Sequence, residues 1–165
     1  MGRRLIFTDR EAAFLRELVK NDVAFMIVGL AAATLQGAPA VTLDIDLWFK
    51  DLRHNGIARA LRKVGGFYIP PTMQNPPMFG GEHVQLFDIV LHMDGLESFA
   101  KEVRGAVDIP LGGVRVKVLP LSRIIVSKKA AGREKDKRSL QVLQDAYQTI
   151  EEYGPTPSSR KKSKK

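Results

Sequence analysis

The sequence has no cysteine, only three histidines and a single tryptophan in 165 residues. Without cysteine, a disulfide, a zinc–thiolate site and a cysteine nucleophile are all excluded. His54, His83 and His92 are far apart and lack the paired spacing of metal ligands. Neither a Gly-x-Ser-x-Gly nucleophile turn nor a Walker phosphate loop occurs. The aspartates are therefore the main candidates for chemistry.

Long apolar runs are also missing, and none approaches the length needed to cross a membrane. Residues 1–10 carry charges where a secretion signal would need an apolar core. We therefore expect a cytoplasmic protein with no membrane partner.

Acidic residues are nearly as common as basic ones once the C-terminus is set aside. The net charge is +8, but five of the last six residues are basic, which leaves 21 basic against 18 acidic residues elsewhere. The Pro- and Ser-containing stretch before them cannot bury apolar surface. We expect one folded domain at 1–153 and a disordered basic tail at 154–165. Such a tail would attract RNA or an acidic partner, or would only improve solubility.

Helical and strand patterns alternate along the domain. An amphipathic pattern predicts a first helix with Asp9 as its N-cap. Further helices are predicted over Leu30–Gln36, Asn55–Val64, Pro120–Ala131 and Asp136–Tyr153. Strands are predicted over Val23–Val28, Val41–Phe49, His83–Leu91, Val107–Ile109 and Val114–Val118. The proline-rich segment Tyr68–Gly81 is predicted to be a loop, long enough to form a functional flap.

Three aspartates occur within these predicted strands. Strand periodicity sends Asp44 and Asp46 to one face and Leu43, with the other apolar neighbours, to the opposite face. Asp88 interrupts an otherwise apolar strand, where an ionised acid needs a partner. If Asp88 lies beside the first pair, a divalent cation would relieve the repulsion among the carboxylates, and an oxygen-only ligand set suits Mg²⁺ or Mn²⁺. Alternatively, the pair is the wet face of a strand, and Asp88 is satisfied by backbone amides or an arginine.

A glycine ends a predicted strand upstream of the acidic pair. Val28-Gly29-Leu30 joins a strand to a helix start, and the Asp-hydrophobic-Asp-hydrophobic run begins at Asp44. This arrangement resembles the nucleotidyltransferase superfamily of the polymerase-beta type, in which a third acid on a later strand completes the metal site. Asp88 is the matching position.

A second block, Leu119 to Asp136, resembles the C-terminal signature of small bacterial nucleotidyltransferases related to the AbiEii toxin group. It contains a lysine-bearing helix followed by a Gly-Arg-x-Lys-Asp turn. Thr42 also fits that pattern. The likeness spans about residues 23 to 145, and it implies an α/β (α+β) fold with a mixed sheet flanked by helices and a C-terminal helix pair.

The resemblance implies transfer of a nucleoside monophosphate from an NTP to a hydroxyl of RNA, of tRNA in particular, or of a protein. Asp44, Asp46 and Asp88 would hold Mg²⁺ or Mn²⁺, and Asp88 would help activate the hydroxyl. Six residues would bind the nucleotide: Gly29, Leu30, Thr42, Lys128, Arg133 and Asp136. Asp136 would cap the last helix or position Lys128. An antitoxin is a further implied partner.

Some positions depart from the family pattern. Leu30 replaces a Gly or Ser, and Ala40 and Leu86 stand where relatives often carry Arg. These changes remove phosphate contacts but leave all three acids. An alternative interpretation is therefore a catalytically degenerate module that binds RNA or a partner protein. The basic segment around Lys128 would then be a solvated charged turn.

Overall fold

The computed structural model describes residues 8–154. The tail predicted to be disordered lies outside them, apart from Gly154. The helices are α1 Asp9–Lys20, α2 Gly29–Leu35, α3 Asn55–Lys63, α4 Phe99–Glu102, α5 Leu121–Ala131 and α6 Glu134–Tyr153, with a 3₁₀ turn at Val103–Gly105. The strands are β1 Phe25–Val28, β2 Ile45–Phe49, β3 Phe67–Ile69, β4 Met78–Gly80, β5 Phe87–Val90, β6 Val107–Leu111 and β7 Val114–Val118. None of the helices in this range is both long enough and apolar enough to span a bilayer.

Five strands form one mixed sheet in the order β5-β2-β1-β7-β6. Strands β1 and β2 are antiparallel, whereas β2 pairs with β5, and β1 with β7, in parallel. Strands β6 and β7 form the predicted hairpin around Gly112-Gly113. The predicted mixed sheet with flanking helices is therefore confirmed.

The apolar face of the sheet packs against α1. The ring of Phe14 lies edge-on to Phe87 and Phe79, with centroids 5.1 and 5.4 Å apart. Phe87 is in register with Ile45, so these two residues share that face. Because Phe14 is fully buried, its ring is part of the hydrophobic core that fixes α1 to the sheet.

The opposite face carries Asp46 and Trp48, since side chains alternate along β2. Trp48 is buried and lies edge-on to Phe99 of α4, with centroids 5.5 Å apart. Arg123 of α5 donates to the Glu102 carboxylate at 2.7 Å and ties α4 to α5. The sequence patterns did not predict α4, which is only four residues long.

Several sequence predictions of local structure are wrong. The segment 68–81 is not all loop, because β3 and β4 form a separate antiparallel hairpin whose partners include Tyr68 and Phe79. The predicted strands at 41–49 and 83–91 are also shorter, since 41–44, 83–86 and 91 are not strand. Leu43 is 77% exposed and does not join the apolar face. Apolar composition alone could not show that no neighbouring strand covers these residues.

The C-terminal helix pair is confirmed, and α5 and α6 pack against each other. Helix α5 ends at Gly132, which has a φ of 63°. This left-handed conformation favours glycine and turns the chain into α6. Helix α1 has Thr8 as its N-cap, not Asp9, and the Thr8 N–H donates to the Glu11 carboxylate at 3.0 Å.

Candidate active site

Asp46 and Asp88 lie side by side on neighbouring strands. They are register partners in the parallel pair of β2 and β5, so both side chains project from the same face of the sheet. Asp46 also stands opposite Val28 at the end of β1. The carboxylates are therefore gathered at the end of the sheet where β1 leads into α2.

Asp44 precedes β2 by one residue and is exposed. Its backbone N–H donates to the Thr42 hydroxyl at 3.2 Å, and that hydroxyl lies 3.2 Å from the Asp44 carbonyl oxygen. These local bonds shape the turn that leads into the strand. The Thr42 hydroxyl is thus hydrogen-bonded within the turn that carries Asp44.

The three carboxylates influence one another electrostatically. Burial raises the pKa of Asp46 to about 6, and the negative charges of Asp88 and Asp44 add to the shift while Lys128 opposes it. Burial also raises the pKa of Asp88, with a further contribution from Asp44 and an opposing one from Lys135. Burial is thus the main cause of both raised pKa values, and the like charges within the cluster add to it.

The chemistry of this donor set fits a hard divalent cation, because three carboxylates from two strands and a turn offer only oxygen ligands. Across residues 8–154, however, no three or more His, Cys, Asp or Glu side chains are already grouped closely enough to hold a metal ion. The carboxylates of Asp44, Asp46 and Asp88 would have to turn toward a shared ion to bind it together.

Gly29 lies close to this cluster. A Cβ at this position would lie 2.5 Å from Oδ2 of Asp46, and the residue has a φ of 70°. Only glycine satisfies both requirements without strain. Leu30 follows at the start of α2, and its side chain packs against the hydrophobic core. Any contact of Leu30 with a nucleotide would therefore involve its backbone.

The turn between α5 and α6 is organised around Asp136, which has no solvent-exposed surface. Its carboxylate accepts hydrogen bonds from Lys128 Nζ at 3.1 Å and from Arg133 Nε at 2.6 Å. The Arg133 backbone N–H also donates to it, at 3.2 Å, at the start of α6. Burial by itself would raise the pKa of Asp136, but the hydrogen bonds from Arg133 and Lys128 outweigh it and lower the pKa to about 2.

This basic turn faces the acids. The positive charge of Lys128 acts on Asp46, and the same Asp46 carboxylate acts on Arg133. Asp136 caps the start of α6 and holds both cations by hydrogen bonds. Its role in positioning Lys128 for a nucleotide stays a prediction. The alternative interpretation of this segment as a solvated charged turn does not describe Lys128. Its side chain is only 16% exposed and is ion-paired with Asp136.

Lys135 is a cation that the sequence analysis did not single out. It is exposed at the start of α6, and its charge acts on both Asp46 and Asp88. Its position within the Gly-Arg-x-Lys-Asp turn was the sequence feature that could have identified it. The sequence could not show that this turn lies over the strand acids.

Structural comparison identifies the fold. The chain is similar to the crystal structure of an antigenic nucleotidyltransferase-like protein from Paracoccidioides brasiliensis, with 19% identity over 81% of this chain and 72% of that one, at a TM-score of 0.51. This chain has a nucleotidyltransferase fold. At this identity the likeness establishes the architecture alone.

Two structures of ANT(2'')-Ia are also similar to the chain. A crystal structure in complex with adenylyl-2''-tobramycin shares 15% identity over 82% of this chain and 95% of that one, with a TM-score of 0.45. A solution structure shares 14% identity over 86% and 92%, with a TM-score of 0.48. No protein-family model and no curated protein sequence matches the chain.

Proposed function

We propose that this nucleotidyltransferase fold is an active enzyme that transfers a nucleoside monophosphate from an NTP to a hydroxyl acceptor. The observation that carries the proposal is the pairing of Asp46 with Asp88, close to Asp44 and beneath the basic turn. The charges of Lys128 and Asp46 act on each other, so a bound cation and anionic phosphates would each have groups of opposite charge nearby.

Asp44, Asp46 and Asp88 would hold Mg²⁺ or Mn²⁺. A bound divalent ion supplies neutralisation of the charge that develops on the phosphates during in-line displacement. The charged forms of these acids would be stabilised as well, since burial first and mutual repulsion second raise the pKa of Asp46 and Asp88 in the free protein.

Asp88 is the proposed proton acceptor. It is more exposed than Asp46 and so reaches an incoming hydroxyl more easily. The acceptor oxygen bonds to the α-phosphorus, the bond from that phosphorus to the pyrophosphate oxygen breaks, and the hydroxyl proton passes to the Asp88 carboxylate.

The phosphates would be bound from two sides. Gly29, with no side chain, leaves room for the Asp46 carboxylate beside its backbone, and the Gly29 and Leu30 backbone together with Thr42 would bind the phosphates on that side. Lys128 and Arg133 supply positive charge from the helix turn, and both are oriented by hydrogen bonds to Asp136. Because Asp136 is buried, it acts through those cations.

The acceptor we propose is RNA, in particular a tRNA 3′ end, or a protein side chain, as in toxin-antitoxin relatives with a cognate antitoxin. Labelled NTPs are incubated with the chain and either total tRNA or lysate protein, and the macromolecule that retains label is identified. Label in neither fraction, with nucleotide binding intact, would contradict both acceptor classes.

Calorimetric titration with Mg²⁺ and each NTP tests the active site itself. We expect binding by the wild type and its loss in Asp44→Ala and Asp46→Ala. Asp145→Ala is the matched control, since Asp145 is exposed on α6 and accepts a hydrogen bond only from Gln141 within the described chain. Equal binding by all four proteins would refute the proposed metal site.

A second candidate is a non-catalytic module that binds RNA or a partner protein. It is favoured by the lack, in residues 8–154, of a ready-made cluster of metal-ligating side chains. Metal-independent RNA binding with a steep salt dependence, together with no NTP binding, would support this candidate over the enzyme.

A further inference from the structure

A cavity of about 480 Å³ lies at the end of the sheet remote from the acids. Its floor includes Phe25, the first residue of β1, whereas Asp46 pairs with Val28, the last residue of that strand. The cavity therefore does not belong to the proposed active site. Its volume is in the range of sites that bind small organic molecules.

The walls of this cavity are largely apolar. Val23, Phe25 and Phe99 line it and are themselves buried, and Val19 and Val103 add further apolar surface. Such a lining favours a ligand with an apolar body, because transfer of apolar surface out of water supplies the binding energy.

The wall formed by α4 is held in place before any ligand arrives. Phe99 packs edge-on against Trp48, and Glu102 on the same helix binds Arg123 at 2.7 Å. A preformed wall lowers the entropic cost of binding.

The rim of the cavity is basic. Lys50, Arg115 and Lys117 line it against a single acid, Asp22. Lys117 is paired with Asp108 at 2.9 Å. Lys50 and Arg115 form no ion pair with any of residues 8–154. Within this part of the chain the Arg115 side chain donates only to the carbonyl oxygen of Asp108, at 3.4 Å, so both charges remain available to a ligand. An apolar cavity with two uncompensated cations at its mouth complements an anion with an apolar body.

We propose that this cavity is a second binding site, for a small organic anion with an apolar body such as a medium-chain carboxylate. The apolar part occupies the space between β1 and α4, and the carboxylate binds Lys50 and Arg115. The site is independent of the proposed nucleotide transfer, since it shares no residue with the acid cluster or the basic turn.

Octanoate is the probe, titrated calorimetrically into the full chain. We expect saturable binding of one octanoate per chain. The neutral octan-1-ol should bind at least about tenfold more weakly, since a hydrogen bond to a charged group contributes that much or more. No saturable binding of octanoate would overturn the proposal, and so would equal binding of the alcohol.

Two variants locate the site. Lys50→Ala combined with Arg115→Ala should weaken octanoate binding about tenfold or more. Ala100→Phe should abolish it by filling the cavity, since Ala100 lines the space and is exposed. Lys101→Ala is the control, because Lys101 is an exposed neighbour on α4 that pairs with Glu97 and does not line the cavity.

Octanoate binding by the double variant at wild-type strength would overturn the proposal, as would an equal loss in Lys101→Ala. Far-UV circular dichroism confirms folding of each variant, and the double variant decides the matter if Ala100→Phe fails to fold. NTP binding by the same proteins is measured in parallel. Absence of NTP binding by the wild type, with octanoate binding intact, would count against the proposed active site and not against this cavity.

Discussion

Removal of the Asp46 charge should make the metal-free protein more stable at neutral pH. Burial and the charges of Asp88 and Asp44 raise the pKa of Asp46 to about 6, against 3.8 for an unperturbed aspartate. The folded state therefore holds the Asp46 proton more tightly than the unfolded state does. Stability from this group is fully present below pH 3.8 and is lost as the pH rises through 6.

The size of this effect follows from the shift. About two pKa units correspond to about 3 kcal/mol, since one unit is about 1.36 kcal/mol, and partial exposure of Asp46 to solvent reduces it to about 2 kcal/mol. Asp46→Asn keeps the shape of the side chain and cannot ionise. The variant should therefore exceed the wild type by about 2 kcal/mol in free energy of unfolding at pH 8 and match it near pH 4.

Urea unfolding in the presence of EDTA, followed by circular dichroism at both pH values, measures this difference. Asp145→Asn serves as the control, because this exposed residue has no comparable carboxylate neighbours in the described chain, and it should change stability little at either pH. A destabilised Asp46→Asn at pH 8, or a gain that is the same at pH 4, would refute the electrostatic account of the cluster.

Three further substitutions test how the site and its support are built. Asp136→Asn should lower the free energy of unfolding by about 3 kcal/mol at pH 7, since it weakens a buried ion pair with Lys128. The deficit should shrink as the pH falls from about 4 toward 2, where the wild-type carboxylate also protonates, and a pH-independent deficit would contradict this. Gly29→Ala should lower the free energy of unfolding by about 1–2 kcal/mol, because the residue has a φ of 70°. By displacing the Asp46 carboxylate, it should also weaken Mg²⁺ binding measured by calorimetry. Unchanged Mg²⁺ binding would show that the close approach of Gly29 to Asp46 is not needed. Phe14→Ala should cost about 3–5 kcal/mol in urea unfolding, because its fully buried ring joins α1 to the sheet, and a cost under about 1 kcal/mol would contradict that packing.

Much of the local structure could be predicted from the sequence. Helical spacing of apolar residues places α1 and α6, and a glycine pair marks the hairpin of β6 and β7. The predicted ends of the strands were less accurate. Val41 and Leu43 are apolar but 88% and 77% exposed, because no strand pairs with this segment. Tyr68 and Phe79 belong to a hairpin that the surrounding prolines concealed.

The sequence by itself determined which residue types are available and how each is oriented along its own element. Alternation along β2 separates Asp46 from the apolar neighbours, and Gly29 supplies the backbone conformation that a close approach needs. These are local properties, since they follow from the period of a strand and from the absence of a side chain.

Tertiary structure alone decided which of these residues meet. Asp88 is separated from Asp46 by about forty residues, and only the parallel register of β5 on β2 makes them neighbours. The α5–α6 turn was recognisable in the sequence, yet its place over the acids depends on how the C-terminal helices pack, and that packing brings the charge of Lys135 to the site. Interactions between distant segments arise from burial and pairing of whole elements, so no local pattern encodes them.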